Sequence, residues 1–541
     1  MDHAQLVSAL RDPRFYDPPA ARVEFLQTHV SSLFLTGERV YKLKKPVNFG
    51  FLDFSTLALR ELYCRREVEL NRRLAPTVYL EVAPIVRAGG LLRLGRALAT
   101  GAGGGEVLDW LVVMRRLDHR LHGTYMVERG ELSADSLDQL AEVLVNFYRR
   151  APTGPEVDRY GTLEAVRYNT DENFAQTLES VGKLIARGRY DHVRDWTETF
   201  YREHSELFAR RVAGGRIRDG HGDLHLGNVF FEDPPVVFDC IEFSDRLRCC
   251  DQAADVAFLA MDLDFHGRPD LSRRFVERFV ELAGDAELPE LLPFYQCYRA
   301  YLRGKVAAFT ASDPALGGEE RRAQRNLARR YFGLAYAYAG GRDRPPFVVL
   351  YGLMGTGKTG IARFLRERFG WHVLSTDAVR KQIAGVGENT RVYVPYEEGL
   401  YSPAMNERTY AEVCQRAENL LLAGFPVVVD GAFKRRGDRQ PVLELARRSG
   451  ARLVFLEVVC APPERVRRLE RRRLHDTRSD GRVELMARQL AEFEPPAPAH
   501  ARHFERLSTD GPRDATRRRL LELLQSRGLL AAGEVPLGRR S

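Results

Sequence analysis

The sequence predicts two domains of different class, an α+β domain followed by a three-layer α/β/α domain built around a parallel sheet. In the C-terminal part, short apolar runs alternate with helical segments, and this alternation is typical of βαβ units. These apolar runs are FVVLYG, WHVLSTD, FPVVVDG and RLVFLEVV. In the N-terminal part, residues 33–115 are mostly strand-like runs and turns around one helical stretch. Helical patterns dominate residues 131–213 and 252–338, with a short β-type region at about 216–244 between them. We expect the α+β class for this part.

Length and composition fit a protein with at least two domains. The chain has 541 residues, more than one hydrophobic core ordinarily serves. Hydrophobic residues make up 44% and charged residues 29%, as in globular proteins. The seven cysteines are scattered without a CxxC pair, which argues against a zinc knuckle or a disulfide framework. No apolar run is long enough to cross a bilayer and residues 1–19 do not resemble a secretion signal, so we expect a cytoplasmic protein without a membrane partner.

The basic residues are spread along the chain and interleaved with acidic ones, although the net charge is +8. This distribution argues against nucleic acid as a partner, and the arginine-rich run at 467–473 is the feature that favours it. Only eight of the 82 basic residues are lysines. Arginine replaces lysine poorly where a compact ammonium meets phosphate. The cluster Lys42, Lys44 and Lys45 and the isolated Lys358 are therefore candidate phosphate contacts, with chance as the alternative for the cluster.

A stretch rich in glycine, proline and charge divides the chain. Residues 340–346, GGRDRPP, combine several residues that end helices and strands. We therefore predict a first domain over residues 1–340, a linker over 341–346 and a second domain over 347–530. Residues 531–541 are predicted to form a tail.

The second domain begins with a phosphate-binding pattern. GLMGTGKT matches GxxxxGK[ST], with an apolar strand before it and the helical segment IARFLRERF after it. The glycines allow backbone N–H groups to face a phosphate chain, and the helix N-terminus adds partial positive charge. Lys358 is predicted to reach the β- and γ-phosphates of ATP, and Thr359 to place its hydroxyl on Mg²⁺. The alternative is a glycine turn without a ligand. The predicted nucleotide contacts are Gly352, Gly355, Thr356, Gly357, Lys358 and Thr359.

Two acidic residues lie at the ends of later apolar runs. Asp377 ends WHVLSTD and Asp430 ends FPVVVD. In open α/β sheets ligands bind beyond the carboxyl ends of the strands, so both carboxylates are candidates for the same site. With these features, this half resembles P-loop small-molecule kinases of the zeta-toxin or gluconate-kinase type. The resemblance implies that Asp377 holds or deprotonates an acceptor hydroxyl, that Asp430 helps to organise Mg²⁺, and that Arg380 grips the acceptor.

An arginine-rich segment, ERVRRLERRRLHDTRSDG, lies where such kinases have a lid. The resemblance implies that Arg468, Arg472 and Arg473 meet the phosphoryl group, with Arg473 as a nucleotide contact. Two alternatives stay open. The arginines could form a solvated helix face, and Asp377 could be a helix N-cap.

The first domain carries HGDLHLGN at 221–228 and VVFD at 236–239. A carboxylate, an asparagine five residues later and a second aspartate that ends an apolar strand form an arrangement used for phosphate transfer. The first acid accepts a hydroxyl proton, and the amide and second acid hold Mg²⁺, which prefers oxygen ligands. The segment resembles the aminoglycoside phosphotransferase and choline-kinase-like families. The resemblance implies a protein-kinase-like fold of two lobes, about residues 1–115 and 116–340.

Carried over position by position, the resemblance assigns Asp223 as the catalytic base and Asn228 and Asp239 as metal ligands. His221 would buttress the catalytic loop. Asp255 matches an acid that supports that loop in these families.

Upstream, RVYKLKK resembles the strand that carries the phosphate-binding lysine. Lys42 would share a strand face with the apolar residue two positions before it, so Lys42 is favoured over Lys44. Glu67 is the predicted acidic partner of the lysine, with Glu69 as the alternative. Met114, at the end of WLVVM, occupies the place of the strand that touches adenine.

The segment before Lys42 departs from the kinase pattern. No GxGxxG precedes it, and only Ser31, Ser32 and Gly37 are available for a turn that covers the phosphates. The glycine cluster at 101–105 is not followed by a suitable strand and lysine, so we predict a hairpin loop there.

Two alternatives concern the catalytic loop. His221, Asp223 and His225 could form a zinc site, because imidazole and carboxylate both bind zinc. Zinc would leave Asn228 and the strand after it unexplained. A degenerate kinase that binds nucleotide without transfer is the second alternative, although every expected acid is present.

The chain as a whole resembles bacterial fusions of an aminoglycoside-phosphotransferase-like domain with a P-loop ATP-binding domain, over about residues 20–530. We predict a bifunctional phosphotransferase with two independent ATP sites, each transferring the γ-phosphate to a hydroxyl of a small molecule with Mg²⁺. An aminoglycoside site would be acidic, whereas residues 153–206 are mixed in sign, so we do not favour aminoglycosides. The alternative is an ATP-binding regulatory or stress-response module that controls a protein partner.

Overall fold

The computed structural model describes residues 2–50, 52–95, 105–341, 344–387, 390, 398–475 and 486–530, without the side chains of 472–475. Two compact units form, one from residues 1–172 and 198–299 and the other from residues 173–197 and 300–541. The second unit thus includes residues 300–340, which the sequence analysis placed in the first domain. The predicted domain bounds stay a prediction, and residues 342–343 of the linker and the tail lie outside the described residues. Within the described part, none of the helices is long and apolar enough to cross a bilayer.

The first unit contains an antiparallel sheet of six strands in the order β1-β2-β3-β6-β4-β5. The strands are β1 (Glu24–Gln27), β2 (Ser31–Leu35), β3 (Arg39–Lys44), β4 (Tyr79–Ala88), β5 (Leu91–Leu94) and β6 (Glu106–Arg115). Helices α1 (His3–Leu10) and α2 (Leu57–Asn71) belong to the same region. Because side chains alternate across a strand, Tyr41 and Leu43 pack in the cluster that contains α1, whereas Lys42 and Lys44 share the face toward α2.

Of the three residues available for a phosphate-covering turn, Ser31 and Ser32 lie in a strand and Gly37 lies in a turn. Ser31 and Ser32 are buried in β2, opposite Lys44 and Leu43 of β3. Gly37 lies in the turn between β2 and β3, where the Thr36 N–H donates to the Arg39 carbonyl at 2.9 Å. A turn that covers the phosphates at Gly37 stays a prediction. Of the glycine cluster, residues 101–104 lie outside the described residues.

Helices make up most of the remainder of the first unit, together with two small antiparallel pairs. Strand β7 (Ile217–Asp219) pairs with β10 (Cys249–Asp251), and β8 (Val229–Phe230) pairs with β9 (Val236–Val237). The helices are α3 (Gly123–Arg129), α4 (Ala134–Arg150), α5 (Pro155–Asp158), α6 (Leu163–Gln176), α7 (Arg187–Ala213), α8 (Asp245–Arg248), α9 (Gln252–Phe265), α10 (Pro269–Ala283) and α11 (Leu288–Thr310), of which α6, α7 and α11 contribute residues to both units. The loops 220–228 and 238–244 connect the short strands and carry the HGDLHLGN and VVFD patterns.

The second unit contains a parallel sheet of five strands in the order β12-β13-β11-β14-β15. The strands are β11 (Pro346–Tyr351), β12 (His372–Ser375), β13 (Val427–Asp430), β14 (Arg452–Val459) and β15 (Phe504–Ser508). The helices are α12 (Gly318–Tyr338), α13 (Lys358–Phe369), α14 (Thr376–Ile383), α15 (Pro403–Leu422), α16 (Arg436–Ser449), α17 (Pro462–His475), α18 (Met486–Ala491) and α19 (Arg513–Ser526).

Helices cover both faces of this parallel sheet. All six residues of β11 are buried, as expected for a strand with two covered faces. Val348 and Leu350 pack with Leu365 of α13 and Leu520 of α19. Helices α15 and α16 contact β13 and β14, and they cover the opposite face. The predicted α+β domain followed by a three-layer α/β/α domain is confirmed.

Candidate functional sites

Lys42 lies in the middle of the antiparallel sheet and makes two ion pairs. Its Nζ is 2.8 Å from Glu67 Oε1 on α2 and 2.7 Å from Asp239 Oδ1 in the loop after β9. Burial alone would lower the pKa of Lys42, but the carboxylates of Asp239 and Glu67 outweigh it and hold that pKa well above its usual value. Lys42 is therefore a fixed positive charge beside two carboxylates.

Lys44 lies behind Lys42 and uses the other oxygen of the same glutamate. Its Nζ is 2.6 Å from Glu67 Oε2 and 2.5 Å from Glu242 Oε1. The side chain of Lys44 is 1% exposed against 13% for Lys42, so Lys42 is the lysine nearer to solvent. The structure places Glu67, and not the exposed alternative Glu69, against both lysines. Sequence reasoning missed Glu242, whose pKa is raised by burial.

The catalytic-loop pattern is held by a buried carboxylate. Asp255 on α9 accepts the backbone N–H groups of His221 at 2.9 Å and Gly222 at 3.0 Å. Gly222 has φ of 82°, and a Cβ there would lie 2.7 Å from the Leu247 carbonyl oxygen, so this turn requires glycine. Asp255 is fully buried, and its contacts with the loop backbone match the role that the resemblance implies, an acid that supports the catalytic loop.

Asp223 and Asn228 are joined directly. Asn228 Nδ2 donates to the carbonyl oxygen of Asp223 at 2.9 Å and to its Oδ2 at 3.1 Å. These bonds use the amide nitrogen as donor and make Oδ1 of Asn228 the atom suited to a cation. The Asp223 side chain is 36% exposed, so an acceptor can reach its carboxylate.

Asp239 has a backbone conformation that is unusual for a residue with a side chain, with φ of 61°. Its backbone N–H donates to the hydroxyl of Tyr79 at 3.1 Å, and its side chain is 46% exposed. The donors near this point are carboxylate and amide oxygens from Asp223, Asn228 and Asp239, which fit Mg²⁺.

Backbone groups contact both ring nitrogens of His221 and Nδ1 of His225, whereas His225 Nε2 lies 3.5 Å from Asp223 Oδ2. His221 Nδ1 accepts from the Asp223 N–H at 3.2 Å, and its Nε2 lies 3.0 Å from the Phe238 carbonyl oxygen. His225 Nδ1 accepts from the Gly227 N–H at 3.0 Å. Across the described residues, no group of three His, Cys, Asp or Glu residues is arranged to hold a metal ion. The geometry thus gives the zinc alternative no support.

Met114 lies on β6 opposite Val40 of β3 and Tyr79 of β4. Its side chain is buried in the cluster between the sheet and α2, together with Val112 and Val68. The predicted contact of Met114 with adenine stays a prediction.

In the second unit, the glycine-rich loop joins β11 to α13. Gly352 has φ of 129°, and a Cβ there would lie 2.7 Å from the Val458 carbonyl oxygen. Gly355 and Gly357 also have positive φ, at 80° and 100°. Lys358, the first residue of α13, folds back onto the loop, and its Nζ donates to the carbonyl oxygens of Gly352 at 2.8 Å and Leu353 at 2.9 Å. The strand, the turn with positive-φ glycines and the helix therefore follow one another as the pattern predicted, and phosphate binding by this loop stays a prediction.

Thr359 and Asp430 lie together at the carboxyl edge of the sheet. Asp430 is the last residue of β13, and its Oδ2 accepts the Thr359 hydroxyl at 2.7 Å. The two oxygen groups predicted to organise Mg²⁺ are therefore neighbours. Thr356 is buried, and its carbonyl oxygen accepts from the Thr509 hydroxyl at 2.7 Å.

Asp377 does not end a strand, because β12 ends at Ser375 and Asp377 lies in the first turn of α14. Ser375 is the N-cap of that helix, so the alternative that Asp377 is a cap is wrong. Arg380 NH1 donates to Asp377 Oδ1 at 2.8 Å, and its NH2 donates to Asn406 Oδ1 at 3.0 Å. The Arg380 side chain is 6% exposed and that of Asp377 is 42% exposed. Arg380 therefore orients Asp377, and its predicted grip on the acceptor stays a prediction.

Residues 464–475 of the arginine-rich segment belong to helix α17, the rest of the segment lies outside the described residues, and one arginine of α17 contacts the glycine-rich loop. Arg468 NH1 donates to the Thr356 carbonyl oxygen at 3.2 Å and to the Thr509 hydroxyl at 2.8 Å. Arg468 therefore does more than form a solvated helix face, because it also contacts the glycine-rich loop. The side chains of Arg472 and Arg473 lie outside the described residues.

Helix α18 adds contacts that sequence reasoning did not find. Gln489 Oε1 accepts the backbone N–H of Met354 in the glycine-rich loop at 2.8 Å. The segment after β13 also contacts the segment after α18, because Lys434 Nζ is 2.6 Å from Glu492 Oε2. The basic residues after Asp430 are thus held partly by acidic residues of the α18 segment.

Two family models match the chain. The model described as "Phosphotransferase enzyme family" matches residues 57–294, and the model described as "AAA domain" matches residues 347–496. Among solved structures, the GDP complex of aminoglycoside 2'-phosphotransferase-IIIa is 13% identical, with 61% of this chain and 99% of that chain covered and a TM-score of 0.37. A gluconokinase from Sinorhizobium meliloti 1021 is 21% identical, with 34% of this chain and 99% of that chain covered and a TM-score of 0.24.

Two mycobacterial proteins are among the curated relatives of the chain. The uncharacterized proteins Rv2004c of Mycobacterium tuberculosis (strain ATCC 25618 / H37Rv) and Mb2027c of Mycobacterium bovis (strain ATCC BAA-935 / AF2122/97) are each 34% identical over 421 residues, which cover 77% of this chain and 79% of each relative. The domain matches support kinase-type activity. On this similarity the chain belongs to one family with these mycobacterial proteins, with a phosphotransferase domain at residues 57–294 and a P-loop kinase domain at residues 347–496.

Proposed function

We propose that the chain is a bifunctional ATP-dependent phosphotransferase with two independent nucleotide sites, each of which transfers the γ-phosphate of ATP to a hydroxyl of a small molecule. The observation that carries the proposal is that each unit contains its own lysine, its own oxygen groups for a cation and its own exposed carboxylate. Lys42 with Asp239 and Asp223 form one set, and Lys358 with Asp377 form part of the other.

At the first site, Asp223 accepts the proton of the acceptor hydroxyl as that oxygen attacks the γ-phosphorus. The bond between the γ-phosphorus and the bridging oxygen breaks, and ADP leaves with the bonding electrons. Lys42 contacts the phosphates, and Glu67 holds it in place through the 2.8 Å ion pair. Asn228 Oδ1 and the Asp239 carboxylate would hold Mg²⁺, which offsets negative charge on the phosphate oxygens when bound.

At the second site, backbone N–H groups of residues 355–359 hold the phosphate chain and Lys358 contacts the β- and γ-phosphates. Lys358 must leave the carbonyl oxygens of Gly352 and Leu353 to do so. Asp377, oriented by Arg380, accepts the acceptor proton. Thr359 and Asp430 would hold Mg²⁺ directly or through water, with the same effect on phosphate charge as at the first site.

The acceptors are small hydroxyl compounds, and neither nucleic acid nor a membrane is a proposed partner. The charge of residues 153–206 is mixed, which does not favour a polycationic aminoglycoside. The seven cysteines are all free, which supports a reducing cytoplasm as the location.

The test is a screen of hydroxyl metabolites with ATP labelled in the γ-phosphate. Wild type should label two products, Asp223→Asn should lose one of them, and Asp377→Asn should lose the other. Nucleotide hydrolysis without any labelled product would contradict the proposal and would favour a nucleotide sensor that controls a protein partner.

A further inference from the structure

The loop that carries Asp239 has a backbone shape that needs support. With φ of 61°, Asp239 occupies the left-handed region, which is unfavourable for a residue with a Cβ and persists where the surroundings hold it. The same residue presents its carboxylate to Lys42 at 2.7 Å. A change of φ to an ordinary value would turn that carboxylate to another direction.

A buried tyrosine holds the backbone of Asp239. Tyr79, the first residue of β4, is 1% exposed, and its hydroxyl accepts the Asp239 N–H at 3.1 Å. The hydroxyl is the one polar atom on an otherwise apolar ring packed with Val68 and Val112. A phenylalanine would fill the same space and leave the Asp239 N–H without this acceptor.

An asparagine holds the next residue in the same way. Asn71, the last residue of α2, is 1% exposed, and its Oδ1 accepts the Cys240 N–H at 2.8 Å. Its Nδ2 donates to the Glu67 carbonyl oxygen at 2.9 Å. One side chain therefore connects the Asp239 loop to the backbone of Glu67, the residue that holds Lys42.

We propose that Tyr79 and Asn71 are positioning residues of the first site, which fix the left-handed backbone of Asp239 so that its carboxylate faces Lys42 and the cation. The inference rests on the proposed function of that site. Both side chains are 1% exposed, and they act through the backbone of residues 239 and 240. Their loss should reduce the affinity for Mg²⁺ more than the affinity for nucleotide.

The experiment uses the full chain with Lys358→Ala, which silences the second site, and measures ADP binding by calorimetry with and without MgCl₂. Tyr79→Phe should raise the Mg²⁺ concentration for half-maximal enhancement of ADP binding about tenfold, the lower end of the effect of residues that orient metal ligands. Its ADP affinity without Mg²⁺ should be unchanged. Asn71→Leu should shift the Mg²⁺ requirement in the same direction.

Tyr16→Phe is the matched control, because Tyr16 is also buried and its hydroxyl donates to the Leu10 carbonyl at 2.7 Å. A Tyr79→Phe chain that behaves like Tyr16→Phe would overturn the inference. So would an equal loss of ADP affinity with and without Mg²⁺, which indicates a general structural effect. If the Lys358→Ala parent shows no Mg²⁺-dependent ADP binding, the proposed function of the first site fails instead.

Discussion

Lys358 donates from Nζ to the carbonyl oxygen of Gly352 at 2.8 Å, within the same loop that the sequence predicts to hold phosphate. The side chain therefore already lies over the loop, and a phosphate chain would replace carbonyl oxygens as its partner. By this exchange of partners, Lys358 can bind carbonyl oxygens of the loop without nucleotide and phosphate oxygens with nucleotide.

Lys358→Ala should remove nucleotide binding from the second site. The reason is the loss of the positive charge opposite the β- and γ-phosphates. Calorimetry with Mg²⁺ and ADP should give two sites per chain for wild type and one for the variant. Arg366→Ala, an exposed arginine on the same helix, is the control and should keep two sites. Two remaining sites in Lys358→Ala would exclude the phosphate-binding assignment.

Glu67→Gln should destabilise the first unit, because Lys42 and Lys44 would each lose a carboxylate in a buried environment. Removal of one partner of a buried ion pair costs about 3–5 kcal/mol. Chemical denaturation of the variant against Glu69→Gln, an exposed glutamate on the same helix, measures the difference. Equal stability of the two variants would show that Glu67 does not hold the lysines.

The same glutamate predicts a dependence of stability on pH. Burial would raise the pKa of Glu67, but Lys42 and Lys44 lower it below its ordinary value of 4.5. A carboxyl group with a depressed pKa in the folded state stabilises the fold above its unfolded pKa, and this contribution is lost as pH falls. The stability difference between wild type and Glu67→Gln should therefore be constant near neutral pH and shrink below about pH 4.5. Thermal unfolding as a function of pH measures it, and a difference that grows with acid would contradict the charge state assigned to Glu67.

Much of this arrangement could be predicted from the sequence, because its motifs are local. GLMGTGKT and HGDLHLGN each lie within eight residues, the family resemblance assigned Lys42 and Glu67, and strand alternation favoured Lys42 over Lys44. The parts that sequence reasoning missed are long-range. Glu242 meets Lys44 across 198 positions, and Gln489 meets Met354 across 135. Neither residue type nor spacing signals such pairs in one sequence.

Asp377 shows a different limit. The apolar run WHVLST predicts a strand up to the aspartate, but the serine N-cap begins α14 two residues earlier. Ser375 and Asp377 are both common at helix starts, so propensity alone cannot choose between them. Because Ser375 is the N-cap, the Asp377 carboxylate is not used as a cap and remains exposed.

Arg380→Lys should lower the rate of the second transfer without abolishing nucleotide binding. Lysine keeps the charge but cannot bridge Asp377 and Asn406 with the two arms of a guanidinium, so the base loses its orientation. We expect kcat to fall about tenfold or more, as for a misplaced base, and the KM for ATP to stay within about twofold, because neither partner of Arg380 lies in the phosphate-binding loop. Steady-state kinetics on the labelled product measure both, and Arg408→Lys, on the exposed side of α15, is the control. A changed KM for ATP with unchanged kcat would instead assign Arg380 to nucleotide binding.

The first site should require Mg²⁺ and contain no stoichiometric zinc. Both nitrogens of His221 face backbone groups, and His225 Nδ1 accepts from Gly227. Metal analysis of the purified chain and transfer assays with added Mg²⁺ measure this. One zinc per chain that is lost on His225→Ala would reinstate the histidine metal site.

Transfer assays on wild type, Asp223→Asn, Lys358→Ala and the double variant test whether the two sites are independent. Asp223→Asn keeps the shape of the side chain and removes the base, so the first product should fall by about a hundredfold or more. The second product should be unchanged. Lys358→Ala should have the opposite pattern, and the double variant should lose both products. If either single substitution eliminates all nucleotide turnover, the sites are coupled or one of them only senses nucleotide, and the account of two kinases in one chain is wrong.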